Sequence, residues 1–114
     1  MKNTIVYINT EAKKYPIVFN LNVMETIQDK YGSLDKWGEI TQGNGEPKVK
    51  DLKYGILAMI NEAIDIENED NGTNVPMLTE KQVGRLMTEV GIETIVEKIR
   101  EITIASTKGE EKNV

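Results

Sequence analysis

The residues that could bind a metal ion are concentrated in one acidic stretch, DIENEDNGTNVPML. If this stretch is aligned as an EF-hand calcium loop, Gly72 takes the sixth position. Glu67, Glu69 and Asn71 then take the first, third and fifth positions, whose side-chain oxygens bind the ion. The twelfth position needs a bidentate carboxylate, and here it is Leu78. The coordination shell would be incomplete, so the sequence favours a solvated acidic loop without a metal ion.

Acid–base catalysis would need paired carboxylates, and Glu62, Asp65 and Glu69 share one face of a predicted helix. Such pairs work only in pockets that perturb their ionisation, and nothing in the surrounding sequence indicates burial. The chain has no cysteine and no histidine, which removes thiolate chemistry, the commonest general base and the commonest metal ligand. We therefore expect a protein that is not an enzyme and that uses no cofactor.

A helix–glycine–helix pattern in LTEKQVGRLMTEVGIETI could form a helix-turn-helix. Its recognition helix would be residues 92–104, where the only cations, Lys98 and Arg100, stand among three glutamates: Glu93, Glu97 and Glu101. The net charge of the chain is −5, whereas nucleic acids and anionic membranes attract positively charged surfaces. We expect neither as a partner, and a small DNA-binding regulator of a mobile element remains an alternative function.

Length and composition favour one small domain. The chain has 114 residues, of which 39 % are apolar, enough for a single modest core. We predict a globular domain over residues 1–107 and a disordered tail over residues 108–114, where the sequence is polar and charged. The N-terminal apolar run is too short and interrupted for a signal peptide, and no stretch approaches the apolar length of a membrane span. We therefore expect a cytoplasmic protein.

A long central helix over residues 47–68 is expected to organise the fold. Apolar residues recur there at the i, i+3, i+4, i+7 spacing of a helix face, and others widen the stripe: Val49, Leu52, Ile56, Leu57, Met59, Ile60, Ala63 and Ile64. Pro47 suits the first helical position, whose N–H has no partner within a helix. The carboxylates from Asp65 onward oppose the helix dipole, so we expect fraying near residues 65–68 and a mobile loop after them.

Two segments before this helix predict a β-hairpin. Residues 3–9 and 15–20 are rich in β-branched and aromatic side chains, and a polar link containing Lys13 and Lys14 separates them. Pro16 restricts the second strand to an edge, because proline donates no hydrogen bond to a ladder. A two-stranded hairpin is marginal alone, so we expect it to pack on the helices.

The pattern of the strands also predicts self-association. Alternation puts Ile17 and Phe19 on one face of the second strand and Val18 on the other, and the helices of one chain are expected to cover only the first face. Residues 4–8 carry no charge, and uncharged edge strands are ready templates for another chain. The apolar stripes of the C-terminal helices also exceed what one central helix can cover. We therefore expect a homo-oligomer.

Two short helices are predicted between the hairpin and the central helix. Asn22, followed by Glu25 three residues later, forms a capping-box pattern, and Gly32 suits the end of that helix. Ser33 then caps a second helix, which ends in the turn-rich sequence TQGNGE. Trp37, the only tryptophan of the chain, is interpreted as a core anchor.

The C-terminal third is predicted to be helical and interrupted once. Thr79 and Gln82 form a second capping-box pattern, and Gly91 should break the helix that follows. An apolar stripe then continues to about Ala105. The predicted fold class is α+β and mostly α, with an N-terminal hairpin packed on a bundle of four to five helices.

Three segments together resemble one protein family: YPIVFNLNVMETIQDKYGSLDKWGEI, DLKYGILAMINEAIDIENED and LTEKQVGRLMTEVG. An extended F-x-[LF]-N segment is followed by a helix that ends in KYGS and by a second helix that contains a tryptophan. A long helix with an acidic end comes next, and the motif LT-[ED]-x-x-[VL]-G follows it. This arrangement is similar to the tail assembly chaperones of long-tailed bacteriophages that infect Gram-positive bacteria. The likeness covers roughly residues 15–95.

The resemblance implies a small, acidic, mostly helical protein that coats the hydrophobic tape measure protein while tail tube subunits polymerise around it. It also implies that the protein acts in the host cytoplasm and is absent from the mature virion. Many members of the family are also made in a longer form by translational frameshifting, which one protein sequence does not reveal. Methionines on three predicted helices, Met24, Met59 and Met87, suit an adaptable binding surface as well as an ordinary core. The resemblance names no binding residues, and a structural head–tail connector remains a further alternative.

Overall fold

The computed structural model describes residues 4–43 and 45–111, with side chains of the last helix described through Ser106. This part of the chain forms a hairpin of strands β1 (Ile5–Asn9) and β2 (Lys14–Val18), then helices α1 (Leu21–Tyr31), α2 (Leu34–Gln42), α3 (Val49–Asn71), α4 (Glu80–Val90) and α5 (Ile92–Glu111). The α+β, mostly α fold with an N-terminal hairpin packed on helices is thus confirmed.

The hairpin is antiparallel, with Tyr7 opposite Pro16. Both strands are shorter than predicted, and β2 ends at Val18 because the chain turns there to start α1. At the turn, the Thr10 N–H donates to the carbonyl of Lys13 at 2.9 Å. Along an antiparallel ladder, residue pairs that exchange backbone hydrogen bonds alternate with pairs that do not. Counting from the hydrogen-bonded Thr10–Lys13 pair, the Tyr7–Pro16 pair is one that does not. The proline nitrogen therefore faces the free edge of β2, where no ladder bond is lost.

Both faces of β2 are covered within one chain. Ile17 and Val18 point to opposite faces, and both are fully buried. The prediction that the helices would cover only the face of Ile17 and Phe19 is therefore wrong. The physical reason is that two helices pack on the hairpin, with α3 against β2 and α5 against β1.

Helix α3 lies at the centre of the core. Strand β2 and helices α1, α2 and α4 all pack on it, and its buried residues occupy more than one side: Leu52, Gly55, Ile56, Met59, Ile60, Ala63 and Ile64. The ring of Trp37 lies directly on Gly55, where any side chain would overlap it. Trp37 is only 3 % exposed, and its Nε1 donates to the Asp51 carbonyl at 3.0 Å, so its interpretation as a core anchor is confirmed.

The bounds of α3 differ from the predicted 47–68 at both ends. The helix begins at Val49, with Lys48 as N-cap, so Pro47 precedes it. It continues through Asn71, and the predicted fraying near residues 65–68 is wrong. Gly72 ends the helix in the left-handed region with φ 64°, and its N–H donates to the Asn68 carbonyl. The last carbonyls are thereby satisfied despite the acidic end.

The other helix ends follow local signals, with one correction. Ser33 caps α2, and the predicted capping box of Thr79 and Gln82 opens α4 with both of its hydrogen bonds. The N-cap of α1 is Asn20 and not Asn22, because the Asn20 side chain accepts from the Val23 N–H at 3.1 Å. Gly32 and Gly91 end α1 and α4 as predicted, with φ of 88° and 91°.

A polar cluster joins α1, α2 and the start of α3. The Tyr31 hydroxyl donates to Asp51 Oδ1 at 2.6 Å, while the Asp51 carbonyl receives the Trp37 indole N–H. Burial, and next this bond to a carboxylate, raise the pKa of Tyr31 above its ordinary value. The Tyr54 ring packs edge-on against Tyr31 with centroids 5.9 Å apart. Aromatic packing and hydrogen bonding therefore both hold α1 against the first turns of α3.

Helix α5 packs on β1 and α4 and buries Ile95, Ile99 and Ile102 completely. The apolar stripes of α4 and α5 are thus largely covered within the chain. The helix is described to Glu111, past the predicted end near Ala105, so it includes the start of the predicted tail of residues 108–114. Residues 112–114 of that tail lie outside the described residues. Within the described residues, no helix has the length and apolar character needed to cross a membrane.

The buried hairpin generates a stability prediction. Ile17→Asp should lower the free energy of unfolding by more than about 2 kcal/mol, because it places a carboxylate without a partner among apolar side chains. Phe19→Asp should act in the same direction, and urea denaturation measures both. Asn9→Asp is the matched control, since it adds the same charge at an exposed position of β1. Equal midpoints for all three variants would mean that the hairpin contributes nothing to the core.

Candidate binding cleft

Two asparagines of α3 hold the segment that connects α3 to α4, residues 73–79, which we call the strap. The Asn68 side chain accepts from the Val75 N–H at 2.9 Å and donates to the Val75 carbonyl at 3.0 Å. The Asn61 side chain accepts from the Leu78 N–H at 2.8 Å and donates to the Leu78 carbonyl at 3.0 Å. Each amide therefore satisfies both backbone groups of one strap residue.

The spacing of these pairs determines the shape of the strap. Asn61 and Asn68 lie seven residues apart on one face of α3, which corresponds to about 10.5 Å along the helix axis. Val75 and Leu78 are three residues apart, and three residues span at most about 10–11 Å when fully extended. The strap is consequently close to fully extended and runs back along α3, antiparallel to it.

A cleft of about 440 Å³ lies between the strap, the last two turns of α3 and the hairpin. Residues 13–16 line it on the hairpin side, and Thr73 and residues 75–78 line it on the strap side. Its remaining lining comes from α3 and the start of α4: Ile64, Glu67, Asn68, Asn71 and Gln82. The volume is within the range of pockets that bind small molecules or a few side chains of a partner.

The strap side of the cleft is apolar and exposed. Val75 is 54 % exposed and Met77 45 %, and Pro76 stands between them. Ile64, on α3, is almost completely buried behind them. Exposed apolar side chains that line a concave surface gain free energy when a partner covers them, whereas scattered ones have little meaning. This clustering favours a binding function for the cleft.

The hairpin side of the cleft carries positive charge. Lys14 Nζ lies 4.5 Å from the centroid of the Tyr7 ring, and Lys13 Nζ lies 5.2 Å from that of Tyr15. Neither ammonium group forms an ion pair with any carboxylate of the described residues. The contacts with the rings orient the two side chains while leaving their charge available.

Glu67, the one acidic residue that lines the cleft, is engaged by the hairpin. The Tyr7 hydroxyl donates to Glu67 Oε2 at 2.7 Å, which links β1 to the end of α3. This hydrogen bond to a carboxylate, with a smaller effect of burial, raises the pKa of Tyr7 above its ordinary value. The phenol therefore stays a hydrogen-bond donor over the physiological pH range.

The structure separates the residues that the EF-hand alignment combined. Glu67, Glu69 and Asn71 belong to the last turns of α3, and Leu78 lies in the strap. The predicted acidic loop is thus mostly helix, because α3 continues to its cap at Gly72. Among the described residues, no three acidic side chains come together as a metal site.

Of the three carboxylates considered for acid–base chemistry, one forms hydrogen bonds within the protein and two are exposed to solvent. Glu62 Oε2 accepts from the side-chain amides of Asn20 and Asn22, each at 2.8 Å, and so ties the start of α1 to α3. Asp65 and Glu69 are exposed. This arrangement accounts for Glu62 as a structural acceptor that binds both asparagines at the start of α1.

The helix–glycine–helix segment becomes α4, Gly91 and α5. The second helix turns Ile95 and Ile99 into the core, as described above, and Lys98 pairs with Glu101 at 3.4 Å. Arg100 is exposed on α5. The cations of the proposed recognition helix are thus few, and one of them is partly neutralised by a neighbouring carboxylate.

Sequence reasoning missed the residues that form the cleft. Met59 and Met87 are core residues and Met24 is half-buried, whereas Met77, which the sequence did not single out, is the methionine on the exposed strap. The one available signal was NVPM, two apolar residues around a proline inside a polar connection. The pairs that hold the strap join residues 7 and 17 positions apart. No local pattern reports such contacts.

Comparison of the chain with protein-family models, with curated proteins and with solved structures finds no match.

The asparagine pairs generate a prediction about local stability. Asn68→Ala should speed hydrogen exchange of the Val75 amide, and Asn61→Ala that of the Leu78 amide, by about two- to tenfold each, because each loses its side-chain acceptor. Exchange followed by NMR measures both amides. Asn71→Ala removes an asparagine from the same helix and leaves both pairs intact, so it should change neither rate. Unchanged exchange in the first two variants would contradict the role given to the pairs.

Proposed function

We propose that this protein is a non-enzymatic tail assembly chaperone of a long-tailed bacteriophage or prophage, which binds the tape measure protein and tail tube subunits during tail assembly. The observation that carries the proposal is the cleft, whose strap presents Val75 and Met77 to solvent. A chaperone of this kind needs an exposed apolar surface on an otherwise charged protein, and it needs no catalytic group.

The resemblance to such chaperones involves the segments that build the cleft. DLKYGILAMINEAIDIENED forms most of α3 and contributes both Asn61 and Asn68. LTEKQVGRLMTEVG begins at Leu78, the strap residue that Asn61 holds, and continues through α4. The quoted pattern therefore coincides with the elements that position the strap, which supports the functional assignment.

The size of the apolar surface suits reversible binding. Full burial of a valine or methionine side chain contributes about 1.5–3 kcal/mol, and Val75 and Met77 are each about half exposed before a client arrives. Covering both would contribute about 2 kcal/mol, which is far less than one stable complex requires. A client would be held by many weak contacts along its length and released as the tail tube replaces them.

The proposal includes the place of action. The chaperone works in the cytoplasm of the host cell, where the tape measure protein is made, and it leaves before the virion is complete. Purified particles test this directly, because a head–tail connector would be present in stoichiometric amounts and a chaperone absent.

The client-binding role is tested by co-expression with the long helical protein that the proposal expects a neighbouring gene to encode, the tape measure protein. The wild-type chain should keep that protein soluble and co-purify with it. The double variant Val75→Asp with Met77→Asp should lose most of this effect, because it places two carboxylates on the apolar wall of the cleft. The measurement is the soluble fraction of the client and its recovery on a tagged chain.

Val49→Asp provides the control for this experiment. Val49 has the same exposed fraction as Val75, 54 %, and it lies at the first position of α3 outside the cleft lining. It should retain client binding. If the wild-type chain leaves the client insoluble, the proposed function is wrong; if Val49→Asp fails as badly as the double variant, the cleft is not the client site.

Self-association is the second part of the proposal. Leu21, at the start of α1, is 67 % exposed and Ile104, on α5, is 59 % exposed, and many weak client contacts require several linked copies. We expect oligomers at high micromolar concentration by sedimentation velocity. Leu21→Asp with Ile104→Asp should shift the distribution towards monomer without lowering the melting temperature, because both side chains are already exposed. A wild-type chain that stays monomeric would contradict this part.

A further inference from the structure

We infer that Asn71–Gly72, where α3 meets the strap, is a deamidation site that the folded chain protects, and that its isoaspartate product releases the strap from α3. The inference goes beyond the proposed function, because it concerns a covalent change of this chain and does not depend on the identity of any client. It gives the hydrogen bonds of Asn68 a protective role in addition to their role in placing the strap.

The residue types at this junction allow the reaction. In deamidation, the backbone nitrogen of the next residue attacks the asparagine Cγ and closes a five-membered imide ring. The Cγ–Nδ2 bond breaks, and ammonia leaves with the proton of the attacking nitrogen. Water then opens the ring at either carbonyl to give aspartate or isoaspartate, so solvent is the only co-reactant. Gly72 has no Cβ to crowd the attack, and Asn71 is exposed to water.

Two features of the folded chain oppose this attack. The Gly72 N–H donates to the Asn68 carbonyl as the cap of α3, so the attacking nitrogen is held in a hydrogen bond. Asn71 is the last residue of the helix, and a helical ψ keeps its Cβ away from the Gly72 nitrogen, whereas the imide ring needs the two atoms nearly eclipsed. The last turn of α3 must therefore open before the ring can close.

Asn68 opposes that opening through several bonds. Its carbonyl also accepts the Thr73 N–H at 3.1 Å, and its side chain accepts the Thr73 hydroxyl at 2.9 Å. The same side chain binds both backbone groups of Val75. Because only opened molecules react, the deamidation rate of the folded chain is that of the unfolded chain multiplied by the opened fraction.

The two products differ in their effect on the strap. Isoaspartate carries the main chain through Cβ, which inserts one carbon atom between α3 and Gly72. The Gly72 N–H then no longer lies at the helical spacing from the Asn68 carbonyl, and the bonds that follow from this cap lose their register. Aspartate leaves the main chain unchanged and adds one carboxylate beside Asp70. Release of the strap is therefore specific to isoaspartate.

The first test ages the full chain at mildly alkaline pH, folded in buffer and unfolded in urea. Trypsin separates Asn71–Gly72 from the other such pair, Asn44–Gly45, because Lys48 and Lys53 lie between them. Mass spectrometry with electron-transfer fragmentation locates the acid and distinguishes isoaspartate from aspartate. Asn71 should deamidate in urea, and about ten- to hundredfold more slowly in the folded chain. Equal rates in the two states, or no reaction in urea, would overturn the inference.

A second test asks whether Asn68 protects the site. Asn68→Ala should raise the folded-state rate at Asn71 by about two- to tenfold, because it removes the side-chain bonds to Thr73 and Val75, and it should leave the rate in urea unchanged. Asn74→Ala is the matched control, since Asn74 is an exposed strap asparagine without a hydrogen bond among the described residues. No rise in the first variant, or an equal rise in both, would overturn the inference. The melting temperature of each variant verifies that it remains folded.

The effect on the strap is measured on the aged chain after chromatography has isolated the isoaspartate form. Its Val75 amide should exchange with solvent at least about tenfold faster than in fresh protein, because the bond to Asn68 is lost. Asn71→Asp carries the charge of the other product on an unchanged main chain, so it should retain slow exchange. Asn71→Gln, whose side chain would need a larger ring, should yield neither product during the same ageing. Slow exchange in the isoaspartate form would contradict release of the strap and overturn the inference.

Discussion

Burial of α3 on more than one side is the interaction on which the rest of the structure depends. A hairpin of two short strands and an eleven-residue helix such as α1 are each marginal alone, and both become stable by packing on this helix. The absence of a side chain at Gly55 lets Trp37 reach the helix axis closely, so α2 is fixed at the same surface. Loss of α3 would remove the one surface that β2, α1, α2 and α4 share among the described elements, since α5 packs chiefly on β1 and α4.

The cleft is a by-product of how α3 ends. A helix with several carboxylates in its last turns needs satisfied carbonyls, and Gly72 together with Asn68 provides them. Asn68 then continues this role beyond the helix, because its side chain receives the Thr73 hydroxyl at 2.9 Å and binds both backbone groups of Val75. Asn68 thus accepts the N–H of the capping residue Gly72 and also positions Val75, the first exposed apolar side chain of the strap.

The sequence predicted those features that short-range chemistry determines. Ser33, Thr79 and Gly91 act as expected because a cap or a left-handed glycine depends on the residues next to it. Asn22 was predicted as the cap of α1 from Glu25 three residues later, but Asn20 carries the same capping chemistry and its side chain accepts from the Val23 N–H. The second covered face of the hairpin was missed because α5 reaches β1 only through the tertiary fold.

The bond between Tyr7 and Glu67 has a consequence for the kinetics of binding. It fastens one wall of the cleft to α3, and Asn61 and Asn68 fasten the other wall to the same helix. Both walls are therefore preorganised on one rigid element, and a partner loses little free energy to ordering the protein. Encounter then requires no slow rearrangement of the cleft, so the association rate is set by diffusion and electrostatic attraction. Under the proposed function, the small apolar area would keep each contact short-lived, which favours rapid exchange of one client segment for the next.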